Sequence, residues 1–380
     1  MADLLSSTVK IVPAQQAEVP KRGKVRTYDR WAESLGIPIY RSYAIEDAND
    51  VTLGWWEERG CNAAIVQLVG QEYESEAQII EISPGQTLAP YRMALDTLVF
   101  VLEGRGLASV WAGEREKMSF EWSENSLFLL PGNYFSQMSN AQGDRPARLL
   151  LFNNLPIAMT VTGNIDLFFK SAHANTDLLY GAGDSSFYAQ AAEAPDLKSN
   201  SYSYVWRGNF FPDLRVWDQL GTQTYRGGGA RVTLRFSTSA NWGHLATFPQ
   251  GTYKKAHRHG PGVVIVILEG EGYSLLWPEK GSEIVMTRWK KGSLIVPPDQ
   301  WYHQHFNVGA TPVRYVGLHG PLEGLPGGED YTPARNQIEY PDEIPEIRRL
   351  FEEEVASRGS RSVMPEEAYQ DRSFRFTFPT

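Results

Sequence analysis

The segments Ala256-His257-Arg258-His259 and Pro298-Asp299-Gln300-Trp301-Tyr302-His303-Gln304-His305 hold four of the seven histidines of this 380-residue chain. In each segment one residue separates two histidines. Residues i and i+2 of a β-strand point to the same face of the sheet. If both segments are strands, four imidazole groups can face one interior. The sequence therefore predicts a metal site inside a β-structure, built without a helix.

An internal repeat surrounds this pair of segments. The run 98–106 (LVFVLEGRG) matches the run 264–272 (VIVILEGEG) 166 positions later. One position further out of phase, Trp122 and Asn140 match Trp289 and Asn307. A repeat of this length, with strands and turns in the same order, indicates two copies of one all-β domain. Short strands joined by glycine-rich turns favour small barrels over open sheets.

The order of elements divides the chain into five parts. We expect an N-terminal arm of little structure and a short helix from Thr27 to Leu35 (1–59), a first barrel (60–155), a connecting region with some helix (156–227), a second barrel (228–320), and a C-terminal helix and tail (321–380). Apolar runs predict strands at 63–68, 77–82, 98–102, 107–111, 126–130 and 147–152, and at 230–236, 244–248, 263–268, 273–277, 293–296 and 313–318. The last helix carries an apolar stripe that either the barrel wall or a second subunit would cover, and alternating Phe374, Phe376 and Phe378 predict an edge strand.

Composition narrows the function classes. A net charge of −9 without a basic cluster argues against nucleic acid as a partner. No apolar run approaches the length of a membrane span, and residues 1–7 lack the pattern of a signal peptide. Cys61 is the only cysteine, so a disulfide within the chain and a cysteine-based zinc site are excluded. We expect a cytoplasmic protein that forms a homo-oligomer.

The second half resembles the cupin family. Gly251, five residues, His257-Arg258-His259 and a later Gly270 fit the first cupin motif, and Pro298, His303 and Asn307 fit the second. Together with the repeat, the chain resembles a bicupin, which implies two tandem jelly-roll (double-stranded β-helix) barrels with peripheral helices.

The site departs from the usual cupin pattern at two positions. The family's Glu falls at 263 or 264, which are both Val, and the usual Gly at 300 is Gln. The resemblance therefore implies a divalent metal ion held by His257, His259 and His303 without a carboxylate. Such a set is similar to that of the three-histidine cupins, which include gentisate-type dioxygenases, although those enzymes use the first half. Here the matching positions of the first half are Tyr91, Met93 and Ser136, so its role is expected to be structural or at an interface.

The resemblance implies a metalloenzyme whose reaction the residues leave open. Our first hypothesis is an Fe(II) dioxygenase that uses O2 to cleave a small aromatic or dicarbonyl acid. Three neutral imidazoles leave the ion its full charge, which suits an anionic substrate. Zinc, manganese, nickel and copper stay open as the metal. So do a non-oxidative lyase, isomerase or hydrolase, and a non-catalytic cupin that binds a small molecule.

Further residues of the second half are candidates for the same site. His305 and Gln300 are expected to assist catalysis, although His305 can equally be a buried structural histidine and Gln300 can simply shape a turn. Trp301, Tyr302 and His244 are expected to contact the substrate, although barrel interiors are often filled by aromatic residues. Two histidines remain, of which His319 is a weaker candidate for the pocket and His173 is expected on the surface.

Overall fold

A computed structural model describes residues 10–21, 23, 25–71, 73–171, 186–189, 191–193, 205–218, 220–224, 226–279, 283–321 and 336–377. The strands of these ranges, in chain order, are β1 Lys10–Pro13, β2 Ile39–Tyr40, β3 Ala44–Ile45, β4 Gly54–Trp56, β5 Cys61–Val66, β6 Glu76–Ile82, β7 Thr97–Glu103, β8 Arg105–Trp111, β9 Met118–Ser123, β10 Leu127–Leu130, β11 Phe135–Asn140, β12 Ala147–Asn153, β13 Ala192–Glu193, β14 Val205–Arg207, β15 Phe210–Phe211, β16 Gly221–Thr222, β17 Ala230–Arg235, β18 Trp242–Phe248, β19 Val264–Glu269, β20 Gly272–Trp277, β21 Glu283–Trp289, β22 Leu294–Ile295, β23 Tyr302–Asn307 and β24 Val313–His319. The helices are α1 Thr27–Ser34, α2 Leu155–Thr162, α3 Asp166–Phe169 and α4 Pro345–Ser357.

Two sets of eight strands repeat one topology. In the first set, strands β10-β7-β12-β6-β5 are neighbours in one sheet and β11-β8-β9 form a second. In the second set, β22-β19-β24-β18-β17 and β23-β20-β21 follow the same order. The predicted fold class, an all-β chain with two tandem barrels of the same topology and peripheral helices, is confirmed.

The repeated Leu-Glu-Gly-x-Gly sequence marks a close approach inside each barrel. Gly104 and Gly270 have φ values of 98° and 92°, a conformation that favours glycine. A Cβ atom at Gly106 would lie 2.4 Å from the Trp122 ring, and one at Gly272 would lie 2.5 Å from the ring of its counterpart, Trp289. The motif recurs because each barrel packs a tryptophan ring against its second glycine, where a larger residue would not fit.

Each barrel is completed by a short strand that precedes the other barrel in the chain. Strand β3 pairs with β22 of the second barrel, and β15 pairs with β10 of the first. Ser293 Oγ donates to the Glu46 carbonyl (2.5 Å), and its counterpart Ser126 Oγ donates to the Pro212 carbonyl (2.6 Å). These crossing strands occupy edges that would otherwise leave backbone groups unpaired. The arm and the connecting region, which were assigned to neither barrel, thus supply strands to both.

The N-terminal arm differs from the sequence-based expectation. Strand β1 pairs in parallel with β21, so residues of the arm extend a sheet of the second barrel. The expectation of an arm with little structure is therefore wrong for Lys10–Pro13. The pattern of four residues does not reveal a strand whose partner lies far along the chain.

The C-terminal helix packs on the wall of the second barrel. Ile347, Phe351 and Val355 of α4 are buried against Tyr273 and Phe306, on the outer face of the sheet that contains β20 and β23. The predicted apolar stripe of this helix is therefore covered by the barrel wall of the same chain.

The end of the chain does not form the predicted edge strand within its described residues. Phe376 is instead buried beside Tyr340, and its N–H donates to the Thr224 carbonyl. Phe378 lies outside the described residues. Within the described ranges, every helix falls short of the length and apolarity needed to cross a membrane.

Candidate metal centre

Three of the predicted ligands converge in the second barrel. His303 lies on β23, His257 forms an isolated antiparallel bridge with it, and His259 follows two residues later. One ring nitrogen from each of the three lies within 4.8 Å of the other two. The ring centroids of His257 and His259 are 4.3 and 4.5 Å from that of His303. The triad predicted from the two paired segments is thus assembled, although only the second segment is a regular strand.

Backbone carbonyl groups orient the three rings. The Nδ1 atoms of His257, His259 and His303 lie 3.0, 2.9 and 3.2 Å from the carbonyl oxygens of Lys255, Gly260 and Trp301. A carbonyl oxygen only accepts, so each Nδ1 carries the proton and donates it. Each Nε2 is therefore the unprotonated nitrogen, the usual state of a histidine ligand whose second nitrogen is oriented by a hydrogen bond. The donor set fits a divalent metal ion.

Burial favours the neutral form of two histidines of the triad, His257 and His303. Burial lowers the pKa of His257 well below its usual value, and the charge of Arg226 adds to the effect. The pKa of His303 is lowered well below its usual value by burial and then by the neighbouring histidines. Metal binding requires neutral imidazole, so this environment favours the form that binds an ion.

The charges around the triad are cationic. Lys254 is buried, and its Nζ donates to Gln223 Oε1 and to the Gly228 carbonyl, both at 2.8 Å. Burial lowers the pKa of Lys254 well below its usual value, followed by the charges of Arg226 and Arg231. Among the described residues, the lysine and arginine charges that lower the pKa values of the interior histidines are those of Lys254, Arg226 and Arg231, and neighbouring histidines add to the effect. Val263 and Val264, at the position of the family's Glu, are buried apolar residues. The interior therefore favours an anion.

His305 lies beside the triad as part of a hydrogen-bonded chain. Its ring centroid is 5.6 Å from that of His303, and its Nδ1 lies 2.7 Å from Ser274 Oγ. Trp289 Nε1 donates to the same hydroxyl at 3.0 Å. Since indole only donates, Ser274 Oγ accepts from Trp289 and can donate its own proton to His305 Nδ1, an arrangement in which the imidazole proton is on Nε2. His305 also lines a small cavity with Trp289, Tyr315 and apolar side chains.

A second histidine pair lies on the adjoining sheet. His244 Nδ1 is 2.6 Å from His319 Nε2, and the His319 ring stacks on Trp242 at 3.8 Å. The His244 ring lies over Gly317, where a Cβ atom would be 2.4 Å from its Cε1. Burial lowers the pKa of His244 well below its usual value, followed by the charges of Arg231 and His319. The weaker sequence candidate, His319, is therefore the direct partner of His244, whereas His173 lies outside the described residues.

The other candidates lie at the margin of this interior. Tyr302 is buried on the opposite face of β23 from His303, stacked on Trp277. Trp301 is half-buried in an apolar cluster with Tyr43, at a ring distance of 6.0 Å.

Gln300 has an exposed side chain that donates to the neighbouring Asp299 carboxylate at 3.4 Å. Its backbone N–H donates to the His259 carbonyl at 3.0 Å, and its φ of 56° falls in the region that favours glycine. Six histidines thus lie in this interior, whereas the side chains of Tyr302 and Gln300 contact residues outside the triad.

The first barrel confirms the register of the repeat. Tyr91 and Ser136 form the bridge that His257 and His303 form in the second barrel. Asn133, the counterpart of Gln300, also has a positive φ of 65°. The fold therefore keeps the position of the site in both barrels and changes the side chains.

Sequence reasoning missed the residues that support the histidines. Ser274 faces His305 across the strand pair β20–β23, where the first barrel has Ala108 facing Met138. A comparison of the two repeats reveals this pair, because Ser274 and His305 both replace apolar residues of the first barrel. The carbonyl partners of the triad have no such signal, since any residue supplies a carbonyl.

Comparisons with known proteins give similar folds only. No family model and no curated protein matches the chain. Among solved structures, the oxalate decarboxylase of Lactobacillus farciminis in a formate complex is 13% identical, with a TM-score of 0.47 over 73% of this chain and 86% of that chain. The Bacillus subtilis oxalate decarboxylase, described with Mn(II) centres, is 11% identical, with a TM-score of 0.47 over 88% and 87%. The 7S globulin of Momordica charantia is 13% identical, with a TM-score of 0.45 over 73% and 84%. These likenesses assign no activity to this chain.

Proposed function

We propose that this chain is a metal-dependent bicupin enzyme that acts on a small anionic substrate in its second barrel. The main observation behind the proposal is the convergence of His257, His259 and His303, each with Nδ1 donating to a carbonyl oxygen, so that Nε2 is the unprotonated nitrogen. Three such nitrogens suit a divalent ion and leave coordination positions open. A bound ion would supply a Lewis acid.

The surrounding residues suit an anionic substrate. The charges of Arg226 and Arg231 act on the interior histidines and give the interior a positive potential that attracts a carboxylate. His305 offers Nε2–H as a hydrogen-bond donor, because the Ser274 hydroxyl satisfies its Nδ1. Apolar walls exclude water and strengthen both interactions.

For the reaction class, we propose non-oxidative chemistry of the lyase, isomerase or hydrolase type. The supporting observation is the pair His244–His319, whose ring nitrogens lie 2.6 Å apart, at hydrogen-bond distance. Such a pair can accept a proton from a reacting group and return it, as general acid–base catalysis requires. The Fe(II) dioxygenase stays a prediction of the sequence, because three imidazoles bind manganese, iron, zinc, nickel and copper alike.

Metal analysis of the purified protein tests the centre. We expect close to one divalent ion per chain in the wild type and its loss in His303→Ala. Ser136→Ala is the matched control, since it changes the equivalent strand position of the first barrel and should keep the ion. Retention of the metal in His303→Ala, or its absence from the wild type after reconstitution with manganese, iron and zinc in turn, would exclude the proposed centre.

Turnover with and without oxygen tests the reaction class. Small mono- and dicarboxylates, including oxalate, would be incubated with the metal-loaded protein in air and under strict anaerobiosis. Product formation without oxygen supports the non-oxidative proposal. Turnover that requires oxygen, with iron as the active metal, would instead support the dioxygenase hypothesis.

A further inference from the structure

The first barrel contains a cavity at the position of the metal centre. Its wall includes Tyr91, Met93 and Ser136, the counterparts of the three metal-binding histidines. A barrel with only a structural role fills this position with side chains, because protein interiors pack closely. In the first barrel the histidines are replaced by other residues, but a cavity is present at their position.

A buried cation lines this cavity. Arg59 is 4% exposed, and its guanidinium carbon lies 3.7 Å from the centroid of the Tyr91 ring. None of the ion pairs between described residues involves Arg59, and Glu81 on the adjacent strand β6 is instead paired with Arg148 at 2.8 Å. A guanidinium stays protonated in proteins, and a buried charge without a counter-ion is costly. Glu58 and Glu76 act electrostatically on Tyr91 and Glu81 on Cys61, but none of them forms an ion pair with Arg59, so an anionic ligand in the cavity would supply a direct partner.

Oriented amides form another part of the wall. Gln78 Nε2 and Asn153 Nδ2 both donate to Glu76 Oε1, at 2.5 and 3.0 Å. The Tyr28 hydroxyl donates to the other oxygen of the same carboxylate. Glu76 does not line the cavity itself, so its charge is used to hold the two amides. Their counterparts in the second barrel are His244 and His319, so both barrels place polar groups at these two strand positions.

We propose that the first barrel is a second binding site, independent of metal, for a small monocarboxylate that pairs with Arg59. The hydroxyl of Ser136 and the amide of Gln78 lie in the same wall and can donate to the carboxylate. The cavity is narrow, so the ligand has one or two carbon atoms. Met93 and Leu151 form the apolar side that would receive a methyl group. This site does not depend on the metal centre proposed above.

A titration with ¹³C-labelled formate and acetate, followed by NMR, tests the site. The full-length His303→Ala variant is used, so that the second barrel contributes no metal-bound carboxylate. We expect saturable binding of one ligand per chain. Arg59→Gln in this background should weaken binding at least about tenfold, because a charge-assisted bidentate contact is lost. Arg92→Gln is the matched control, since Arg92 follows Tyr91 in sequence but lies outside the cavity wall.

A second variant decides the outcome if Arg59→Gln does not fold. Met93→Phe fills the cavity from its apolar side and leaves Arg59 in place, so binding should be abolished in a protein with a normal circular dichroism spectrum. Formate and acetate binding that persists in a folded Met93→Phe or Arg59→Gln protein would overturn the proposal. So would the absence of saturable binding in the folded His303→Ala protein.

Discussion

Replacement of Ser274 by alanine removes the hydroxyl that joins Trp289 to His305 inside the second barrel. Trp289 Nε1 donates to Ser274 Oγ at 3.0 Å, and His305 Nδ1 lies 2.7 Å from the same oxygen. Ser274 is fully buried, and the two partners are 3% and 7% exposed, so solvent does not replace the lost hydroxyl. The substitution leaves one buried donor and one buried acceptor without a partner.

The first barrel provides an internal reference for the size of this effect. A buried polar group that loses its partner costs about 1–3 kcal/mol, so Ser274→Ala, which leaves two such groups, should lower the free energy of unfolding by roughly 2–6 kcal/mol. The equivalent site holds Ala108 opposite Met138, and the Trp122 Nε1 has no hydrogen-bond partner among the described residues. The reverse change, Ala108→Ser, supplies an acceptor there and should leave stability within about 1 kcal/mol of the wild type.

Urea unfolding, followed by tryptophan fluorescence and circular dichroism, measures both changes. In a His305→Leu background, Ser274→Ala removes the hydrogen bond of Trp289 only. Its effect on the free energy of unfolding should therefore be about half of its effect in the wild type. A cost below about 0.5 kcal/mol for Ser274→Ala would refute the hydrogen-bonded chain. An equal cost for Ala108→Ser would show that packing, and not hydrogen bonding, determines the effect.

Three further predictions concern single residues. Gln300→Gly should stabilise the protein by up to about 1 kcal/mol and keep the metal, because φ is 56° and the side chain is exposed; Asn133→Gly should gain less, since asparagine tolerates this conformation. Loss of turnover in Gln300→Gly would instead support the catalytic role expected from the sequence. Burial raises the pKa of Glu343 from 4.5 to about 8, so its stabilising contribution is complete below pH 4.5 and is lost as the pH rises towards 8. The melting temperature of the wild type should therefore fall relative to that of Glu343→Gln between pH 5 and pH 8, and parallel curves would contradict this assignment. Gly272→Ala should cost more than about 2 kcal/mol in thermal unfolding, because its Cβ would lie 2.0 Å from a carbonyl oxygen of the facing strand, whereas Gly143→Ala, with open space around it, should be neutral.

Strands with continuous apolar runs were predictable, and half-polar strands were not. The runs around Val99 and Val266 became β7 and β19, close to the expected bounds. By contrast, β9 and β11 of the first barrel have one face half-buried or exposed and alternate polar with apolar residues, and no strand was expected there. A strand that buries one face gives only a weak local signal, and its partners confirm it only in the folded chain.

The residues at the site were predictable by type but not by arrangement. The spacing of His257, His259 and His303 and the internal repeat indicated a metal triad in one barrel and its loss in the other. The pairing of His244 with His319 and the cavity beside Arg59 were not apparent, because these residues come from separate strands and segments.

The amino-acid sequence alone was sufficient for the all-β class, the duplication and the choice of three histidines that converge in the second barrel, because strand periodicity, repeats and histidine spacing are local patterns. The tertiary structure was needed for the pairing of β1 with β21 and for the exchange of β3 and β15 between barrels. It was also needed for the direction in which each imidazole nitrogen points. These features depend on contacts between residues far apart in the chain, which form only when the strands come together.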